Sequence, residues 1–133
     1  MIADNDLESK PPVAKNLLGA PLQGCCMDPK TGYFRDGFCN TNSLDEGSHV
    51  ICSLMSEDFL VFSKSKGNDL STPRPEFDFP GLKEGDWWCL CALRWLEAYQ
   101  EGMAPLLNPK ASHEKVLIHI PLEVLEKFYY LEE

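Results

Sequence analysis

Positive charge is scarce in this chain: 133 residues carry 12 Lys and Arg against 21 Asp and Glu, a formal net charge of −9. The imbalance sits mainly at the ends. Residues 1–10 hold three acids and one base and residues 121–133 four acids and one base, while 11–120 hold 14 acids and 10 bases, or −4. Binding a phosphate backbone needs clustered Lys and Arg. No basic stripe exists here, so the sequence predicts no nucleic-acid partner, and no anionic membrane surface for the same reason. No apolar run approaches the roughly 18 residues that span a bilayer. The opening MIADNDLESKPP is acidic and polar and lacks the basic and apolar regions of a secretory leader. The expectation is a soluble, cytoplasmic protein.

Several catalytic signatures are also absent. There is no G-x-G-x-x-G and no G-x-x-x-x-G-K-[ST], so no phosphate cradle for a nucleotide is predicted. Without a C-x-x-C pair a thioredoxin-type reaction has no basis. There is no G-x-S-x-G elbow, and Asp45, Ser48 and His49 are too close along the chain to assemble readily as a hydrolase triad. His113-Glu114 is not a metalloprotease helix, because position 117 holds Leu where a second His would be needed. No internal repeat is present.

The length suits one domain with a real core, so neither a metal nor disulfides are required merely to fold. Residues 1–15, with Pro11-Pro12, predict a flexible arm, and residues 16–133 one globular domain. Asn16 to Asn42 is loop-rich, with turn pairs Asp28-Pro29 and Asp36-Gly37. Short strands are expected at Gly32–Arg35 and His49–Leu54. SEDFLVFSKSK, from Ser56, predicts a helix with a Ser cap, acids in the first turn, Lys near the end and Gly67 beyond it. Trp87–Cys91 predicts a buried strand. Ala92, Trp95, Leu96 and Tyr99 then fall at helical spacing, and Gly102 ends that run. Ser112 is expected to cap a short helix through Leu117, Ile118–Ile120 to form a strand, and Pro121 to start a closing helix. Strands and helices mix without a βαβ repeat. The predicted class is α+β, with a small, mostly antiparallel sheet and long irregular loops.

Cysteine is plentiful: Cys25, Cys26, Cys39, Cys52, Cys89 and Cys91. With a cytoplasmic setting expected, reduced thiols are the default. Neighbours Cys25 and Cys26 do not readily pair with each other, nor do Cys89 and Cys91 on one strand face. His49 and Cys52 form an H-x-x-C pair and Cys89 and Cys91 a C-x-C, with Cys25 and Cys39 available from loops. Zinc favours four such ligands, yet C-x-C departs from the usual knuckle spacing, so buried apolar cysteines are the expectation and zinc the minor alternative. Cys39 follows Arg35, which would favour a thiolate, and His49 or His113 would serve as base. Cys39 and His49 are thus the catalytic candidates.

NLLGAPL (16–22), TGYFRDGFCNT (31–41), GSHVICSLM (47–55), GNDLSTPRPEFDFPGL (67–82) and GDWWCLCALRW (85–95) together resemble a family of small bacterial and plant proteins, domain of unknown function 2237. The resemblance spans roughly residues 16–130. It implies a compact α+β fold and no particular activity. Cys26 departs from the pattern, which has only the first cysteine of the pair, and this sets Cys26 apart from any shared site.

The stretch 67–82 carries the remaining expectation. Pro73, Pro75 and Pro80 forbid a helix, and long loops in compact domains are functional or structural staples. Asn68, Asp69, Thr72, Arg74 and Glu76, with Arg35, Asp36 and His49 from nearby motifs, form the candidate ligand-binding set. Arg74 suits a carboxylate or phosphate, and a Trp suits an apolar wall. The competing reading has Asp69 and Thr72 satisfying loop backbone and the arginines paired with Asp36 or Glu76. The functional expectation is a binding or interaction module for a small anionic ligand or a partner segment. The alternative is a metal-binding or thiol-dependent protein built on the Cys and His set.

Overall fold

The computed structural model describes residues 14–45 and 47–130. Two strands form its only regular sheet among these residues: β1, His49–Leu54, and β2, Trp87–Cys91, paired antiparallel. Val50 to Ser53 are all buried, so β1 is covered on both faces, which suits its Val and Ile. Cys52 lies opposite Cys89, Ser53 opposite Trp88 and Leu54 opposite Trp87. The register slips between His49 and Ile51. The slip lets the Val50 carbonyl leave the ladder and accept the His113 N–H at 2.9 Å.

A lone two-stranded ladder is marginal in water, and here the rest of the chain completes it. Helix α1, Glu57–Ser65, starts at Ser56, whose hydroxyl accepts the Phe59 N–H, and buries Phe59 and Leu60. Helix α2, Ala92–Gln100, follows β2 without a break and buries Ala92, Trp95 and Ala98. Trp95 is fully buried, its indole N–H donates to the Pro105 carbonyl at 3.0 Å, and Tyr99 and Phe128 pack on it. The chain after α2 runs back along β1: the Leu54 N–H donates to Leu106 O and the Leu107 N–H to Phe128 O. That connector covers the free edge of β1. Helix α3, Leu122–Glu126, closes the described chain and buries Leu125. Among the described residues no helix is long and apolar enough to cross a membrane.

The fold is α+β, as expected, but three local expectations fail. Gly32–Arg35 is a turn, because Gly32 and Arg35 take φ of 103° and 55° and no strand follows such angles. The segment after Ser112 is a 3-10 turn, Glu114–Ile118, capped by the His113 ring and not by Ser112, whose hydroxyl instead accepts the Cys52 N–H. Ile118–Ile120 has no ladder partner, and Ile118 stays exposed. Residues 1–13 of the expected arm lie outside the described residues, while Lys15 bridges Pro21 and its carbonyl accepts the Glu114 N–H.

Candidate functional site

His49 begins β1, and the turn before it shapes its surroundings. Asp45 is buried, and its carboxylate accepts three bonds: the His49 N–H at 3.0 Å, the Thr41 hydroxyl at 2.9 Å and His49 Nδ1 at 2.7 Å. Burial pushes this carboxyl up, but the bonds from the His49 backbone, the His49 ring and Thr41 outweigh it and hold it below the ordinary 3.8. Asp45 is therefore an anion that fixes Nδ1 as donor and leaves Nε2 as the nitrogen open to a ligand. Gly47 makes room for this: a Cβ there would stand 2.7 Å from His49 Cε1.

Arg35 comes from the turn that replaces the expected strand. Its left-handed φ of 55° carries the guanidinium over Trp88, 5.8 Å from the ring centroid. It makes no ion pair among the described residues. Arg35 and His49 line one cavity of about 290 Å³, walled by Tyr33, Leu70 and Trp88 and reaching Cys89. A larger, open hollow of about 760 Å³ shares Arg35 and is edged by Lys30, Pro73, Pro75 and Phe77.

The loop contributes differently from the way its polar residues suggest. Leu70, not Asn68 or Asp69, reaches the smaller cavity. Asp69 is turned on its own loop, accepting the Ser71 and Thr72 N–H groups at 3.0 and 3.2 Å and the Thr72 hydroxyl at 2.7 Å. The Thr72 hydroxyl, then the Ser71 N–H, hold its carboxyl below the ordinary range. Asp36 likewise accepts the Phe38 N–H at 3.0 Å. Arg74 and Glu76 are exposed, with no side-chain hydrogen bond among the described residues, and Arg74 exchanges backbone bonds with Phe79. Of the eight ligand-binding candidates, one cavity gathers Arg35 and His49; Asp36, Asn68, Asp69, Thr72, Arg74 and Glu76 do not line it.

The cysteines overturn the reduced-thiol expectation. Cys25 is bonded to Cys52 and Cys39 to Cys89. The loop 25–39 folds back over the sheet and sets its two sulfurs beside the cross-strand pair Cys52 and Cys89, a closeness that sequence spacing does not reveal. The sulfurs of Cys25, Cys39 and Cys89 all lie within 4.8 Å of one another. In this state Cys39 offers no thiolate. His49, Cys52, Cys89 and Cys91, the minor metal alternative, are not brought together as a ligand group among the described residues: His49 pairs with Asp45, Cys52 and Cys89 are in disulfides, and Cys91 is unbridged, as is Cys26. Sequence reasoning gave Cys25 too little weight. The signal was there in its being the one member of the Cys25-Cys26 pair shared with the resembled pattern.

His113 also stands apart from the cavity. Its Nδ1 accepts the Lys115 N–H at 2.9 Å, and burial pushes its pKa below the ordinary 6.5. The family model described as "Uncharacterized protein conserved in bacteria (DUF2237)" matches residues 15–129. No curated protein matches the chain.

Proposed function

The chain belongs to the DUF2237 family, and from that premise we propose that it is a small binding module whose cavity between Arg35 and His49 takes a small anionic ligand. The observation that carries this is a guanidinium without an ion pair among the described residues, lining the same cavity as an imidazole oriented by a buried carboxylate. Arg35 suits one face of a carboxylate or phosphate bidentately. His49 Nε2 supplies a second contact, the ring being oriented by Asp45 through Nδ1. Tyr33, Leu70 and Trp88 give the apolar walls that a pocket combines with a few convergent polar groups. Arg74 is exposed and lines neither hollow, so it enters only through its charge.

Inorganic phosphate and succinate are the probes, titrated by calorimetry and by amide shift mapping. Saturable binding is expected, with shifts clustered at Gly32–Arg35, His49 and Trp88. Arg35→Ala should abolish it. Arg74→Ala should leave the melting temperature unchanged and weaken binding less, in a salt-dependent way, because its charge acts at a distance. Equal binding by Arg35→Ala and the parent, or shifts confined to other surfaces, would overturn the reading.

A further inference from the structure

Four cysteines meet at one place on the sheet although only two of them belong to it. Cys52 and Cys89 are directly opposite across β1 and β2, so their side chains share a face. Each is bonded not to the other but to a loop residue, Cys25 or Cys39. Together with Ala111 they form a buried cluster of their own, separate from the main core, and Cys39, Cys52 and Cys89 are at most 1% exposed. A chain with the core described above does not need this for folding.

The scaffold that holds these positions has ties besides the bridges. The Cys52 N–H donates to Ser112 Oγ at 2.9 Å and the Cys89 N–H to Thr31 Oγ1 at 2.8 Å, both hydroxyls being fully buried. The ladder keeps the two strands in register. The loop is tied by its own backbone bonds, Cys25 N–H to Gly37 O at 2.7 Å and Gly37 N–H to Thr31 O at 2.8 Å. Breaking the S–S bonds therefore leaves four thiols facing one another. In a tetrahedral zinc–thiolate site with Zn–S of about 2.3 Å, the sulfurs stand about 3.8 Å apart. Three sulfurs here already lie within 4.8 Å of one another, and the fourth, that of Cys52, is bonded to one of them.

We infer that Cys25, Cys39, Cys52 and Cys89 form a redox-gated zinc site: a closed tetrathiolate when reduced, two disulfides when oxidised. On reduction, two dithiol reductants each close their own disulfide and deliver four electrons and four protons in total, which break both protein S–S bonds and leave four thiols. Zinc then forms four Zn–S bonds and releases those four protons. On oxidation, two molecules of a low-molecular-weight disulfide take up four electrons from the thiolates and four protons from solvent, becoming four thiols. Both protein S–S bonds re-form and Zn²⁺ leaves. The two states suit opposite compartments, since thiols persist in a reducing cytosol and bridges outside it. Because Cys89 also lines the cavity beside His49, the two states present different floors to that cavity.

The test uses the full chain, reduced with a phosphine under anaerobic conditions, given excess Zn²⁺ and desalted. Metal content and the alkylation of each cysteine are then measured. One zinc per chain is expected, with Cys25, Cys39, Cys52 and Cys89 protected from alkylation while Cys26 and Cys91 react, and none on the oxidised protein. Cobalt in place of zinc should give the intense near-ultraviolet thiolate-to-metal band. Cys25→Ser and Cys39→Ser should lose stoichiometric binding, while Cys26→Ser and Cys91→Ser retain it. No zinc on the reduced parent, alkylation of any of those four cysteines in the zinc-loaded chain, or binding that survives Cys25→Ser but fails in Cys91→Ser would each overturn the inference. Should a serine variant not fold, the zinc count and the map of protected cysteines on the parent decide alone.

Discussion

At the scale of single residues, the two histidines with assigned partners are held in opposite ways. His49 faces a carboxylate, and His113 accepts a backbone N–H through Nδ1, a bond that exists only while that nitrogen is unprotonated. Burial lowers the His113 pKa, Lys115 adds to this and Glu114 opposes it. A group whose folded pKa is depressed gives its full stability above the unfolded value and loses it as pH falls through the folded value. Stability should therefore decline as pH drops below the unfolded value of 6.5, and go on falling until His113 is protonated in the folded chain. Asp45 adds a second loss only below its ordinary 3.8, since its depressed pKa keeps it charged to lower pH. His113→Asn keeps an acceptor at the cap without the titration. Thermal melts from pH 8 to 5 should show a flatter profile for the variant over this range, and parallel profiles would refute the assignment.

At the scale of elements, the loop 67–82 is held by its own bonds and by one close approach. Leu82 N–H donates to Leu70 O at 2.8 Å, and Asp69 secures the bend at Ser71 and Thr72. Gly81 takes φ of 84°, and a Cβ there would stand 2.5 Å from the Ser71 carbonyl oxygen. Gly85 takes φ of 96° with nothing within 4 Å of such an atom. Both positions disfavour a side chain through the backbone, at a cost of about 1–2 kcal/mol; only Gly81 adds a collision with main chain. Gly81→Ala should thus destabilise by about 3 kcal/mol or more in urea unfolding, and Gly85→Ala by about 1 kcal/mol. Equal losses would mean that the loop shifts freely and does not brace the cavity wall at Leu70.

At the scale of the whole molecule, the question is how much the two bridges hold the chain together. They close spans of 27 and 50 residues, and each bridge contributes about 2–4 kcal/mol by constraining the unfolded chain. The main core, with Ile51, Phe59, Leu90, Trp95, Leu107 and Leu125, lies apart from them. Reduction in the presence of a chelator should lower the melting temperature by roughly 15–30 °C and leave the far-ultraviolet spectrum folded at 25 °C. Complete unfolding on reduction would show that the bridges, and not the core, decide the fold.

Much of this was written locally. Ser56 before Glu57-Asp58 gives α1 its start because a side-chain oxygen and nearby acids satisfy helix N–H groups within one turn. The 3.6-residue spacing of Ala92, Trp95 and Tyr99 gives α2 its inward face, with Ala92 and Trp95 buried and Tyr99 partly so. These are interactions between residues a few positions apart, so the sequence by itself determined them, along with the acidic balance and the proline-bound loop. Three things were decided only in three dimensions. The left-handed Arg35 turned an expected strand into the support of the cavity. Leu70, and not its polar neighbours, became the loop's contribution there, because Asp69 and Thr72 satisfy one another first. Finally, Cys25 and Cys39 met Cys52 and Cys89 because the loop closes over the ladder. Sulfurs separated by 27 and 50 positions are brought together by the whole fold, and no local spacing encodes that approach.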